Sequence, residues 1–163
     1  MPRSRAGYSL PVDRAGERDM IVVSKRIPVQ PEKVFTVLAD GWTYAGWVVG
    51  ASHIRQVDSH WPQVGSRIHH SVGPWPFNVQ DVSCVLAVEE NKLLELEARM
   101  WPMGAAKITL TLTPDTEGGT EVQMAEKLVR GPLSLLPEPV QAAMLAPRNT
   151  ESLKRLADIA VHR

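Results

Sequence analysis

The chain has 163 residues, of which 44% are hydrophobic and 22% are charged; these values are typical of one globular domain, not of a disordered, collagenous or coiled-coil chain. Its 18 Lys and Arg balance 18 Asp and Glu, so no net field favours nucleic acid or anionic lipid as a partner. No apolar run reaches the roughly 18 residues of a membrane span, and no secretory signal is recognisable. With a single cysteine, Cys84, the chain shows no sign of an oxidising compartment. We expect a cytoplasmic protein without stable membrane insertion.

The first part of the chain carries arginine, glycine and proline without an apolar period, which predicts a flexible tail at 1–19 before one folded domain at 20–163. A β-branched run from Ile21 predicts the first strand, and Pro31 suits the first position of a short helix. A second short helix is expected to be wedged against the sheet by the rings of Trp42, Tyr44 and Trp47.

The middle of the chain alternates apolar and polar residues between turn signals, which is typical of antiparallel strands. Strands are predicted at about 52–57, 66–72, 79–88, 93–100, 106–112 and 120–129. A helix follows at 140–160, and Pro147 inside it should kink the helix or make it restart there. The expected fold is α+β, with a seven-stranded curved antiparallel sheet, two short helices after strand one and a long C-terminal helix.

Several segments, taken in chain order, resemble the START-like and Bet v 1-like (SRPBCC) superfamily, specifically its polyketide cyclase/dehydrase branch. They are 27–31 with Val34, Phe35 and Leu38, then Trp47, then Trp61, Pro62, Val64 and Gly65, then 118–120, then Glu126, and finally Arg148, Asn149, Leu153 and Leu156. The resemblance covers about residues 20–163. It implies the helix-grip fold and a cavity between sheet and terminal helix, which that superfamily uses for lipids, polyketides and aromatic ligands. It implies no catalytic set of residues.

Strand alternation predicts which side chains face the interior. The expected inward set is Val82, Cys84, Leu86, Leu94, Leu96, Ala98, Met100, Ile108 and Leu110. On the last strand Glu126 shares a face with Met124, so a carboxylate is expected on an apolar wall. Because desolvation disfavours the charged form, Glu126 could serve as an acid or base in ring closure or dehydration. The alternative is that it pairs with a neighbouring cation or lies in water at the end of the sheet.

His70 is expected to point inward beside Ile68, where it could bind a ligand or assist Glu126, while His69 points out. Neighbouring strand residues diverge, and no metal-ligand spacing occurs, so no metal site is predicted. Cys84 is expected to be a small buried hydrophobe. No P-loop, glycine fingerprint or GxSxG motif is present, and no cofactor is predicted.

The remaining ligand-binding candidates are mostly apolar. Leu96, Met100, Trp101, Ile108, Met124, Met144 and Leu153 could line the cavity, or simply fill the core. The rings of Trp75 and Phe77 could flank its entrance, or pack on the terminal helix. Asn149 could meet a polar ligand end, whereas Arg148 is expected on a solvated helix surface.

These features support three functional hypotheses. The first is a noncatalytic binder or carrier of a hydrophobic small molecule. The second is a cofactor-independent polyketide cyclase or dehydratase that uses Glu126 and His70 as acid and base groups. The third is an interaction protein whose cavity is filled by its own side chains. The expected partner is a hydrophobic small molecule, and the expected state is a monomer or homodimer.

Overall fold

The structure is a computed structural model that describes residues 19–72, 79–100 and 102–163. The predicted tail, and the candidate residues Trp75, Phe77 and Trp101, lie outside this part of the chain. Within it seven strands form one sheet: β1 (Ile21–Ile27), β2 (Ala51–Val57), β3 (Arg67–Val72), β4 (Val79–Glu89), β5 (Leu93–Met100), β6 (Gly104–Pro114) and β7 (Thr120–Arg130). The strand order is β1-β7-β6-β5-β4-β3-β2, and every pair is antiparallel.

Three α-helices accompany the sheet: α1 (Pro31–Leu38), α2 (Tyr44–Trp47) and α3 (Glu138–His162). Short 3₁₀ turns at Gly41–Thr43 and Pro132–Leu135 precede α2 and α3. Pro31 lies in the first turn of α1, where a backbone N–H would have no acceptor within the helix, so the N–H that proline lacks costs no hydrogen bond. The predicted α+β helix-grip fold, with short helices after strand one and a long C-terminal helix, is confirmed.

The main core lies between the concave face of the sheet and the helices. Its buried members include Val34, Leu38, Trp47, Leu94, Leu96, Leu110, Val122, Leu153 and Leu156. A smaller cluster supports the first half of α3 and consists of Ile21, Ala106, Leu128 and Leu145. The second half of α3 is therefore anchored in the main core, while its first half rests on far fewer apolar side chains.

Strand β4 faces the opposite way from the prediction. The residues expected inside, Val82, Cys84 and Leu86, are half-buried or exposed, and the buried side chains are Asp81, Ser83 and Val85. Directly opposed residues of antiparallel strands point to the same side, and Ser83 is opposite the buried Ala98. Val82 and Leu86 therefore face outward while Asp81, Ser83 and Val85 face inward, and the half-buried Cys84 is not a core residue.

Two helix predictions also need correction. Trp42 does not pack on the sheet, because it is 61% exposed, whereas the neighbouring Tyr44 and Trp47 are buried. Of the two alternatives predicted for Pro147, a kink or a restart, the restart is wrong, since α3 is one continuous helix with Pro147 inside it. Pro147 lacks an N–H, so one backbone bond is missing at this point of α3.

Two glycines fix the approach to α3. Gly104 and Gly131 have positive φ angles of 125° and 87°, and a Cβ on Gly104 would lie 1.8 Å from the carbonyl oxygen of Arg130. Only glycine fits where the start of β6 passes so close to the end of β7. This crossing sets the point from which the chain turns towards α3.

Candidate functional site

A cavity of about 50 Å³ lies between the concave face of the sheet and α3. Its apolar lining is Val48, Val49, Ala51, Val72, Ala98, Met100, Ile108 and Met124. Its polar lining is Tyr44, His70, Arg99, Glu126, Arg148, Asn149 and Ser152. Pockets for drug-sized ligands measure about 300–1,000 Å³. A ligand of that size can therefore enter only if the cavity widens.

One buried polar group of the cavity is Glu126 on β7. Its side chain is fully buried, and Arg148 Nη2 donates to both carboxylate oxygens, at 2.6 Å to Oε1 and 2.5 Å to Oε2. Asn149 Nδ2 donates to Oε2 at 2.6 Å, and its own Oδ1 accepts from Arg148 Nη2 at 3.2 Å. We call Glu126, Arg148 and Asn149 the carboxylate cluster. The cluster joins the sheet to α3.

The local sequence explains how these three residues meet. Alternation on β7 places Glu126 inward with Val122, Met124 and Leu128, all of them buried. On α3 the buried face includes Leu145, Asn149, Ser152, Leu153 and Leu156 at helical spacing. Arg148 lies beside this face and is 27% exposed, so it reaches Glu126 from the edge of the cavity. The sequence had predicted that Arg148 lies on a solvated helix surface, and this prediction is wrong.

The second polar group is a chain of three side chains, two of which, Tyr44 and His70, line the cavity. The hydroxyls of Tyr44 and Ser83 are 2.9 Å apart, and His70 Nε2 is 3.0 Å from Ser83 Oγ. All three residues are buried, and the rings of Tyr44 and His70 lie 5.5 Å apart between centroids. His70 Nδ1 is buried and has no hydrogen-bond partner among the residues that the structure describes. We call Tyr44, Ser83 and His70 the histidine chain.

Burial sets the protonation of the histidine chain. It raises the pKa of Tyr44 to about 12, against a lowering contribution from the hydrogen bond to Ser83. It lowers the pKa of His70, against the nearby charge of Asp81, which acts in the opposite direction. Near neutral pH the phenol of Tyr44 therefore keeps its proton and the ring of His70 is neutral.

The candidate residues predicted from the sequence fall into three groups. Those that line the cavity are Glu126, His70, Met100, Ile108, Met124 and Asn149. Leu96 and Leu153 are buried in the main core away from the lining, and Met144 is 45% exposed on α3. The candidates Trp75, Phe77 and Trp101 belong to the segments for which the structure gives no description.

Sequence reasoning missed part of the site. Tyr44 was expected only to pack against the sheet, and Ser83 was expected on the outer face of β4. The one available signal was the inward histidine, because a buried imidazole requires hydrogen-bond partners. Ser152, which lines the cavity and accepts a bond of 3.1 Å from the backbone N–H of Val49, had no signal in the sequence.

A larger depression of about 940 Å³ lies elsewhere, between α1 and the turn that joins β4 to β5. It is open, and its lining includes exposed polar residues such as Glu32, Gln63 and Glu90. Arg163 and Asp40 form an ion pair at its side. The volume of this depression is large because it is open to solvent. The buried polar groups described above belong to the smaller cavity.

The described residues place no group of three or more His, Cys, Asp or Glu side chains where they could hold a metal ion. In the same part of the chain, each helix is too short or too polar to span a bilayer.

Comparisons with known proteins agree with the fold. The family model described as polyketide cyclase/dehydrase and lipid transport matches residues 19–161, and no curated protein matches the chain. A START superfamily protein from Mycobacterium smegmatis is 12% identical, with a TM-score of 0.71 over 88% of this chain and 97% of its own. Ara h 8.0201 is 13% identical, with a TM-score of 0.65 over 88% of this chain and 98% of its own. Protein MLL2253 from Mesorhizobium loti is 26% identical, with a TM-score of 0.60 over 85% of this chain and 96% of its own. The resemblance read from the sequence is confirmed.

Proposed function

Because the chain belongs to the polyketide cyclase/dehydrase and lipid transport family, we propose that it binds or carries a hydrophobic small molecule, such as a lipid, a polyketide or an aromatic metabolite. The observation that carries the proposal is the cavity under α3, whose apolar wall includes Ile108 and Met124 and whose buried polar groups include His70 and Glu126. Ligand sites usually combine an apolar lining with a few placed polar groups.

Binding requires the cavity to widen from about 50 Å³, and two features favour this. Met100 and Met124 line it, and unbranched thioether side chains adapt to irregular shapes. The part of α3 before Arg148 rests on the small cluster around Leu145, so its displacement breaks fewer apolar contacts than displacement of the part that follows. A ligand that separates this first part of α3 from the sheet could therefore enter without disrupting the main core or the carboxylate cluster.

Native mass spectrometry of the protein purified from its own host, with organic extraction of the same sample, tests the proposal. Ala98→Val adds two methyl groups at a buried position that lines the cavity. Ala125→Val makes the same change on the outer face of β7. We expect an extractable apolar molecule on the wild type and on Ala125→Val, with most of it absent from Ala98→Val. Equal occupancy of both variants, or no bound molecule on any, contradicts the proposal.

A second candidate is a polyketide cyclase or dehydratase in which Glu126 and His70 move protons. The favouring observation is His70, which lines the cavity with an unpartnered Nδ1 among the described residues. The candidate stands second because Arg148 and Asn149 already occupy both oxygens of Glu126. Incubation with a linear poly-β-ketone thioester tests it, and we expect a cyclised or dehydrated product that both Glu126→Gln and His70→Phe abolish. Unchanged substrate with the wild type contradicts it.

A further inference from the structure

The histidine chain has one more hydrogen-bonding position than the described protein groups fill. A neutral imidazole carries one N–H, and each hydroxyl carries one O–H. If Tyr44 donates to Ser83 and Ser83 donates to His70 Nε2, then Nδ1 carries the hydrogen and is a donor. If the chain runs in the other direction, Nδ1 is an acceptor. In both arrangements a buried nitrogen of a cavity-lining residue lacks a partner among the described residues, and buried polar atoms in proteins are usually paired.

The charges around the cavity limit what that partner can be. The guanidinium of Arg148 is already balanced by the carboxylate of Glu126, and Arg99 lies at the exposed rim. Asp81, next to His70 across the β3–β4 pair, is buried, and its negative charge acts on His70 more strongly than the positive charge of Arg55 does. A carboxylate beside His70 would therefore be desolvated next to negative charge, which is costly. A neutral oxygen avoids this cost.

We propose, on the basis of the proposed function, that the ligand carries a neutral oxygen that hydrogen-bonds to His70 Nδ1 inside the cavity. This oxygen belongs to a hydroxyl or a carbonyl group. Ser83 and Tyr44 are positioning residues, because their hydroxyls set which nitrogen of His70 holds the hydrogen. The two directions of the chain allow it to meet either a donating hydroxyl or an accepting carbonyl. The ligand class is therefore an apolar molecule with an uncharged oxygen at its buried end.

Three probes with the same ring system test this proposal: naphthalene, 2-naphthol and 2-naphthoate, each titrated by calorimetry. A new neutral hydrogen bond corresponds to about five- to tenfold in affinity, so we expect wild type to bind 2-naphthol that much more tightly than naphthalene. His70→Phe should abolish the difference between the two probes, which is measured as the ratio of their affinities within each variant. His69→Phe, on the same strand but outside the cavity lining, is the matched control and should keep the preference for 2-naphthol. Ser83→Ala should reduce it.

The outcomes separate this inference from the proposed function. If naphthalene binds but 2-naphthol gains nothing, or keeps its gain in His70→Phe, the inference fails and the cavity function stands. If 2-naphthoate binds as tightly as 2-naphthol, the preference for a neutral oxygen is wrong. If none of the probes binds, the inference fails, and the proposed function fails with it when protein from the host also carries no apolar molecule. Because His70→Phe could misfold, ¹⁵N spectra of the wild-type imidazoles provide a second measurement. 2-Naphthol should shift Nδ1 of His70 and leave His69 unchanged, and an unshifted His70 contradicts the inference.

Discussion

The carboxylate cluster and the histidine chain lie on the wall of one cavity, yet they differ in how completely they are satisfied. Both oxygens of Glu126 are occupied by donors from α3. His70 uses one nitrogen on Ser83 and leaves the other without a partner among the described residues. A buried charge with all its bonds made holds two elements together, whereas a buried nitrogen with one bond unmade is available to a ligand. We therefore expect the first cluster to serve stability and the second to serve recognition.

The largest effect should come from breaking the carboxylate cluster. Arg148→Met leaves Glu126 buried without its cation, and such a change typically costs about 3–5 kcal/mol. We expect a loss of folding stability near the lower end of this range, because Arg148 is 27% exposed and Asn149 still donates to Glu126. Urea unfolding followed by circular dichroism measures it.

Two further variants sharpen this prediction. Arg155→Met removes an exposed pair with Glu151 on the same helix and should cost less than about 1 kcal/mol. Combining Glu126→Leu with Arg148→Met should recover only part of the stability: an apolar pair can replace a buried ion pair, but the buried Asn149 then loses both its partners. If Arg148→Met is no worse than Arg155→Met, the carboxylate cluster does not hold α3 to the sheet.

A smaller loss is expected from the histidine chain. Ser83→Ala removes the shared partner of Tyr44 and His70 and leaves two buried polar atoms unpaired, at a cost of about 1–3 kcal/mol. Ser24→Ala, at an exposed site on β1, is the control and should change stability by less than about 0.5 kcal/mol. Equal unfolding midpoints for the two variants would mean that the chain adds nothing to stability.

The smallest effect concerns pH. Burial lowers the pKa of His70, nearby Arg55 and His69 lower it further, and Asp81 opposes them. The unfolded chain therefore binds a proton on this residue at a higher pH than the folded chain does. Stability linked to His70 is complete above the usual histidine pKa of about 6.5 and is lost as pH falls below it. The stability difference between wild type and His70→Phe should shrink from pH 7.5 to 5.5, and a constant difference contradicts the predicted protonation.

The difference between the carboxylate cluster and the histidine chain also explains which parts of the site could be predicted from the sequence. The strands were predictable, because alternation on β5, β6 and β7 agrees with their burial. Glu126 could be placed on the apolar wall by the same rule. Its partner Arg148 was misplaced because arginine is usually exposed. Considering both residues together would have corrected this, since a carboxylate buried in an apolar wall requires a nearby cation.

The histidine chain was harder to predict, because β4 breaks the rule that located the other strands. Ser83 points inward while Val82 and Cys84 point outward, so maximising apolar burial places the strand the wrong way round. Local patterns often fail where function competes with burial. The irregular pairing of β4 with β5 between Val85 and Ala87 also shifts the alternation, and the sequence carries no clear signal for it.

The most direct measurement is a crystal structure of the protein grown with 2-naphthol. We expect the ring system between the sheet and α3, against Ile108 and Met124, with its oxygen about 3 Å from His70 Nδ1 and the carboxylate cluster intact. A structure in which 2-naphthol binds outside this cavity, or in which its oxygen turns away from His70 towards Glu126, contradicts the division between a stabilising cluster and a recognising chain.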